Sequence, residues 1–183
     1  MKVIPFKKIP DVKIVEPDIF FDERGFFYES FNLKKFNDEV DDNIIFVQDN
    51  YSKSLKGVLR GLHYQSFPFI QGKLVAVTFG EVFDVAVDLR KNSKTFGEYV
   101  FAYLSDENKK QLWIPEGFAH GFLTLSDYAH FSYKTTNYYS KENELCLRYD
   151  DKTIDINWPK DINIILSDKD KKALSLEQIM ASI

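Results

Sequence analysis

Cysteine is almost missing from this chain of 183 residues: Cys146 stands alone, which excludes an internal disulfide. A lone thiol in an apolar stretch reads as a packing residue, not a nucleophile. Long hydrophobic runs are missing too. Nowhere do eighteen apolar residues follow one another, and none trail the lysines near Met1, so neither a membrane-spanning helix nor a secretory leader is expected and the chain reads as cytoplasmic. The longest basic clusters are Lys7 with Lys8 and Lys109 with Lys110, and the formal net charge is −4 with a pI near 5.4. General nucleic-acid binding is not expected on that balance. Histidine is limited to His63, His120 and His130, so a three-histidine metal site would need all of them. His63 has Tyr64 and Gln65 after it instead of a second closely spaced histidine, and His130 falls on the opposite side of the pleat from Tyr133, so no metal is expected.

What the chain does have is 44% apolar and 16% aromatic residues, enough for one domain, 1–183, with a substantial core. Runs rich in Val, Ile, Phe and Tyr recur at short intervals between Gly, Pro, Asn and Asp, the pattern of an all-β antiparallel sandwich or barrel with few helices. Strands are expected at 25–30, 44–50, 58–63, 73–78, 81–88, 99–104, 111–114, 120–124 and 129–135. Phe79-Gly80-Glu81 reads as a tight hairpin between two of them. Short helices are expected at 33–40, capped by Asn32, and at 176–180, where Ser175 and Gln178 can form a capping box.

The segment GVLRGLHYQSFPFIQGK, 57–73, places an arginine, a histidine and a lysine among glycines and apolar residues. Regular alternation puts Arg60 and His63 on opposite faces, so they share a cavity only if a bulge near Gly61 re-aims one of them. Without that bulge His63 is an ordinary core histidine and Arg60 a surface side chain. LWIPEGFAHGF, 112–122, brings a second histidine, His120, into apolar surroundings. HFSYKTTNYYS, 130–140, adds Tyr133 in mid-strand and Tyr138 and Tyr139 near a turn, positions equally open to plain packing.

These motifs in order, with DERGFFYESF at 22–31, QDNYS at 48–52, GEVFDVAVDLR at 80–90 and SDKD at 167–170, resemble the dTDP-4-dehydrorhamnose 3,5-epimerase family. The resemblance runs from about Phe20 to Asp170 and implies a cupin-type jelly-roll barrel, usually a homodimer, acting on a dTDP-linked 4-keto-6-deoxy sugar without metal or organic cofactor. It implies epimerisation at C3 and C5, with His63 as base, Tyr133 as acid, Asp170 polarising the histidine and Lys73 facing the C4 oxygen. Arg60 and Arg24 would hold the diphosphate, His120 would lie beside the sugar, and Tyr139 would stack on the thymine. Gln48, Asn50, Glu29, Glu144 and Lys169 match further ligand-contacting positions, with Arg24 and Glu29 reaching the partner's ligand. Tyr149 and Asp168 depart from the family pattern without touching the acid or base. A single-centre epimerase or ketoisomerase on the same barrel and a non-catalytic sugar-nucleotide-binding cupin are the alternative readings; solvent exchange at the sugar carbons separates all three.

Overall fold

In the computed structural model, which describes residues 1–181, the first third of the chain forms β1 (Lys2–Pro5), β2 (Lys13–Glu16), β3 (Phe20–Asp22), β4 (Gly25–Phe27), helix α1 (Leu33–Glu39), β5 (Gln48–Leu55) and β6 (Leu59–Gln65). There follow β7 (Lys73–Phe79), β8 (Glu81–Asp88), β9 (Tyr99–Ser105), β10 (Gln111–Ile114), β11 (Phe118–Thr124), β12 (Tyr128–Thr135), β13 (Glu144–Cys146) and helix α2 (Leu176–Met180). Six strands form one antiparallel sheet in the order β1-β2-β10-β7-β12-β5, and five form a second in the order β13-β6-β11-β8-β9. This is the all-β antiparallel architecture that the strand spacing implied, in the jelly-roll form that the family resemblance implied. β3 and β4 form a separate hairpin whose residues are all exposed.

Alternation explains the layering. In β8, Val82 and Ala86 join the cluster with Val75, Val77, Leu112 and Phe131 of the other sheet, while Phe83, Val85 and Val87 face a second cluster. That second cluster is closed by C-terminal residues, among them Ile154, Ile156, Leu176 and Ile179. β8 is therefore covered on both faces and reads as an almost unbroken apolar run. Against the outer face of the six-stranded sheet, Phe36 of α1 meets Trp113 edge to face with centroids 5.2 Å apart. Burying side chains of this size contributes roughly 1.5–3 kcal/mol each.

Both helices carry the caps read from sequence. Asn32 accepts from the Lys35 amide, and Ser175 and Gln178 bond reciprocally. The expected strand at 44–50 instead begins at Gln48 and runs to Leu55, and the one expected at 25–30 stops at Phe27. The expected hairpin at Gly80 is corrected. Gly80 does turn the chain, at φ +78°, but β7 and β8 lie in different sheets, because both edges of β7 are already taken by β10 and β12. The turn is a corner carrying the chain from one sheet to the other.

The decisive local feature lies where β6 meets β11. His63 pairs with His120 and Arg60 with Phe122, so three steps along β6 match two along β11 and one residue of β6 is extra. Gly61 sits at this bulge with φ +125°, and a Cβ there would lie 2.6 Å from Gly121 Cα and 2.7 Å from the His120 carbonyl oxygen. Both the dihedral and the contact demand glycine. Gly61→Ala is accordingly expected to lower unfolding stability by about 2 kcal/mol or more in urea titration and to cut activity in whatever folded fraction remains. A variant as stable as the parent would show that the strands can separate without cost.

Candidate active site

The bulge puts Arg60, His63 and Gln65 into one cavity of about 360 Å³ between the sheets. Leu59 and Leu62 turn the other way, into the outer apolar cluster. From the same sheet come His120 and Phe122, and from the facing sheet Gln48, Asn50, Lys73, Phe131, Tyr133 and Thr135. Phe122 and Phe131 stack with centroids 4.1 Å apart, so one ring from each sheet forms an apolar floor beneath the polar groups.

His63 is held by a carboxylate from far along the chain. Its Nε2 lies 2.8 Å from Asp170 Oδ1, and the Ser167 hydroxyl donates to Asp170 Oδ2 at 2.7 Å. The Cys146 thiol donates to Oδ1 across 3.4 Å. Asp170 opens a short 3₁₀ helix and its amide donates back to Ser167 Oγ, so the residue serves both a local turn and the histidine. Burial acts to raise the Asp170 pKa, but the bonds from His63 and Ser167 outweigh it and hold the carboxyl below its ordinary value. Burial pushes His63 below the usual histidine range despite the Asp170 bond, and Lys169 and Lys73 add to the shift. Near neutrality the imidazole is therefore uncharged and able to take a proton.

Lys73 is buried with its Nζ 3.3 Å from the His63 carbonyl oxygen, and desolvation lowers it from 10.5 to about 8, against the pull of Asp84 and Glu144. His120 Nε2 contacts both carboxylate oxygens of Asp84, at 2.9 and 3.0 Å, forming a second imidazole–carboxylate pair. Burial raises the Asp84 pKa, with His120 and Lys73 opposing. Burial likewise raises Tyr133, so its phenol keeps its proton. At the mouth, Lys169 bridges to Glu144 at 2.7 Å, and Glu144 accepts from the Tyr139 hydroxyl at 3.1 Å. Asn50 Nδ2 is buried there without a hydrogen-bond partner, a donor left over for a ligand.

Eleven of the thirteen residues singled out from sequence thus meet in or directly behind this cavity, namely His63, Tyr133, Asp170, Lys73, Gln48, Asn50, Arg60, His120, Tyr139, Glu144 and Lys169. Arg24 and Glu29 do not. Arg24 forks onto Asp22 at the exposed hairpin, and Glu29 accepts from Asn32 and Lys35 beside α1. His130 also lies outside, bonded through Nδ1 to the Tyr51 hydroxyl. Sequence reasoning missed Asp84, Gln65 and Gln71. Asp84 left a usable signal: it is the one acid between valines and phenylalanine in EVFDVAVD at a position sharing the inward face with Val82 and Ala86.

A family model described as dTDP-4-dehydrorhamnose 3,5-epimerase matches residues 7–178. The chain is 63% identical over 163 residues to the dTDP-4-dehydrorhamnose 3,5-epimerase of Shigella flexneri, covering 89% of this chain and 90% of that one. It is 55% identical over 180 residues to the enzyme of that name from Salmonella typhimurium, covering 98% of each. The crystal structure of dTDP-6-deoxy-D-glucose-3,5-epimerase from Legionella pneumophila in complex with dTDP-4-keto-L-rhamnose superimposes with a TM-score of 0.95 at 53% identity, over 99% of this chain and 95% of that one.

A buried lysine with a lowered pKa costs stability. Between about 8 and 10.5 the unfolded chain binds the proton that the folded one releases, so the penalty is complete below about 8 and fades towards 10.5. Lys73→Met is expected to raise unfolding stability by on the order of 1 kcal/mol at pH 7, with the gain shrinking at pH 10, in paired urea titrations. A loss of stability at pH 7 would mean that the ammonium is held by compensating contacts.

Proposed function

Since the chain belongs to the dTDP-4-dehydrorhamnose 3,5-epimerase family and converts dTDP-4-dehydro-6-deoxy-D-glucose to dTDP-4-dehydro-L-rhamnose, we propose that His63 and Tyr133 are its base and acid. The observation that carries this assignment is their placement: His63 lies on β6 of one sheet and Tyr133 on β12 of the facing sheet, and both line the same cavity. Inverting a carbon needs proton removal from one side and delivery from the other. Two opposed sheets supply two sides.

The C4 ketone acidifies the hydrogens on C3 and C5. His63, with Asp170 on Nε2, takes such a proton on its other nitrogen, and the electron pair moves through the carbon skeleton to the C4 oxygen. Asp170 then stabilises the imidazolium. Lys73, still mostly protonated below about 8, faces the enolate, and a fixed cation there is worth more in a desolvated cavity than in water. Tyr133 returns a proton to the carbon from the opposite face, both groups re-equilibrate with solvent, and the cycle repeats at the second carbon. His120 is assigned to the sugar, and its bond to Asp84 keeps the imidazole oriented.

Binding follows from the same cavity. Arg60 is assigned to the diphosphate, Tyr139 to stacking on the thymine, and Gln48, Asn50, Glu144 and Lys169 to the polar groups between. Arg24 and Glu29 are assigned to a partner subunit's ligand in a homodimer, which is supported by the solvent-exposed phenylalanines Phe20, Phe21, Phe26 and Phe27 on the hairpin that carries Arg24.

Three measurements test this reading. In D₂O, wild-type protein should place deuterium at C3 and C5 of the substrate, and His63→Ala should lose about 10² to 10⁴ in exchange rate at both carbons while keeping nucleotide affinity; undiminished exchange would remove His63 as base. Tyr133→Phe should still exchange but fail to invert fully, and normal yields of the L-sugar, trapped by a coupled reductase, would reject the acid. Sedimentation should give a dimer mass, and Arg24→Ala should raise KM within an intact dimer; a monomer with full activity would exclude the shared site.

A further inference from the structure

Among the described residues, His63, Cys146 and Asp170 are the one group of three metal-ligating side chains whose donor atoms lie within 4.8 Å of one another. The mechanism above uses His63 and Asp170 and gives Cys146 no reacting role. Yet the thiol touches Asp170 Oδ1, the same oxygen that holds His63 Nε2. We propose that this histidine–cysteine–aspartate cluster is an inhibitory binding site for a thiophilic divalent cation such as zinc, reached through the substrate cavity.

The chemistry of the donor set selects the ion. One imidazole nitrogen, one sulfur and one carboxylate oxygen form a borderline-soft set that suits Zn²⁺ or Co²⁺ and not Mg²⁺ or Ca²⁺, which take all-oxygen shells. Ligands about 2.0–2.3 Å from a tetrahedral ion stand roughly 3.3–3.8 Å from each other. Here the nitrogen and oxygen are 2.8 Å apart, the sulfur and oxygen 3.4 Å, and all three lie within 4.8 Å, so small side-chain shifts suffice. The fourth position is left to water.

Charge and setting agree. Binding displaces the thiol proton to solvent and moves the remaining imidazole proton to Nδ1, so that Nε2 can give its lone pair to the metal. A thiolate and a carboxylate then cancel the dication, and a neutral complex suits a place where Asp170 and Cys146 are buried. Ser167 already fixes the second Asp170 oxygen, the kind of outer contact that orients metal-bound carboxylates. Occupancy would break the His63–Asp170 bond and occupy the base. The site itself stands on these donor positions; only its inhibitory effect rests on His63 being the base.

The test separates those two parts. Substrate-free protein, kept reduced with a phosphine, is titrated with Co²⁺, and one equivalent should bring up a near-ultraviolet thiolate-to-cobalt charge-transfer band that Zn²⁺ bleaches. Cys146→Ser, which retains a donor to Asp170 and removes the sulfur, should abolish the band. In the epimerase assay Zn²⁺ should inhibit reversibly with chelator while Mg²⁺ does not, and Cys146→Ser should weaken inhibition about tenfold or more relative to its own metal-free rate. Absence of the band in wild-type protein overturns the site. Inhibition of equal strength in Cys146→Ser overturns it too, by placing the inhibitory ion elsewhere, and a band without inhibition would leave the site standing and remove its effect on catalysis.

Discussion

The contact between β6 and β11 at Gly61 and Gly121 sets the terms for everything around it. Each glycine's missing side chain is where the other strand runs: a Cβ on Gly121 would lie 2.6 Å from the Arg60 carbonyl oxygen. That closeness lets one extra residue be absorbed on β6 without parting the strands. Because side chains alternate along a strand, a one-residue slip exchanges the faces beyond it. Arg60 before the bulge and His63 after it therefore point into one cavity, and Leu59 and Leu62 both point out of it. The chemistry of the cavity and the packing behind it follow from the same slip.

The charges in the cavity are arranged in partnerships that differ in burial. His120 with Asp84 is wholly buried, His63 with Asp170 is buried on the acid's side, and Lys169 with Glu144 lies at the mouth. Among the described residues two cavity cations have no carboxylate in contact: Arg60 donates to Ser54 Oγ and the Lys53 carbonyl, and the buried Lys73 meets only the His63 carbonyl. A desolvated ammonium without a close counterion is costly to the fold, and it suits a site where negative charge appears only during reaction. The strain on stability and the readiness to stabilise an oxyanion have one origin.

Legibility from sequence followed signal strength. β8 and β10 have the bounds that alternation indicated, because each lies deep in a sheet and nearly every residue is buried. β1, β2 and β13 left little trace, being three or four residues long and set among prolines or next to a short helix. Whether Arg60 and His63 converge could be posed from GVLRGLHYQ and not answered, since the answer depends on how β11 packs against Gly61. Asp84 was hidden by its surroundings: an acid inside an apolar run looks like an interruption until His120 is seen opposite. Arg24 and Glu29 show another limit: the motif marked both, and in this chain they lie away from the cavity, paired with Asp22 on the exposed hairpin and with Lys35 beside α1.

Asp170 reaches His63 from more than a hundred residues downstream. The segment that carries it is tied down by the Ile165 carbonyl accepting from the Leu59 amide and by Leu174 exchanging bonds with Cys146 and Arg148. Both sheets are complete in sequence by Cys146, yet the apolar cluster outside the five-stranded sheet is not, because Leu176 and Ile179 from beyond Asp170 belong to it. The stretch between Cys146 and Leu176 is therefore anchored at both ends, and the packing that completes the fold is what carries the Asp170 carboxylate to the His63 imidazole.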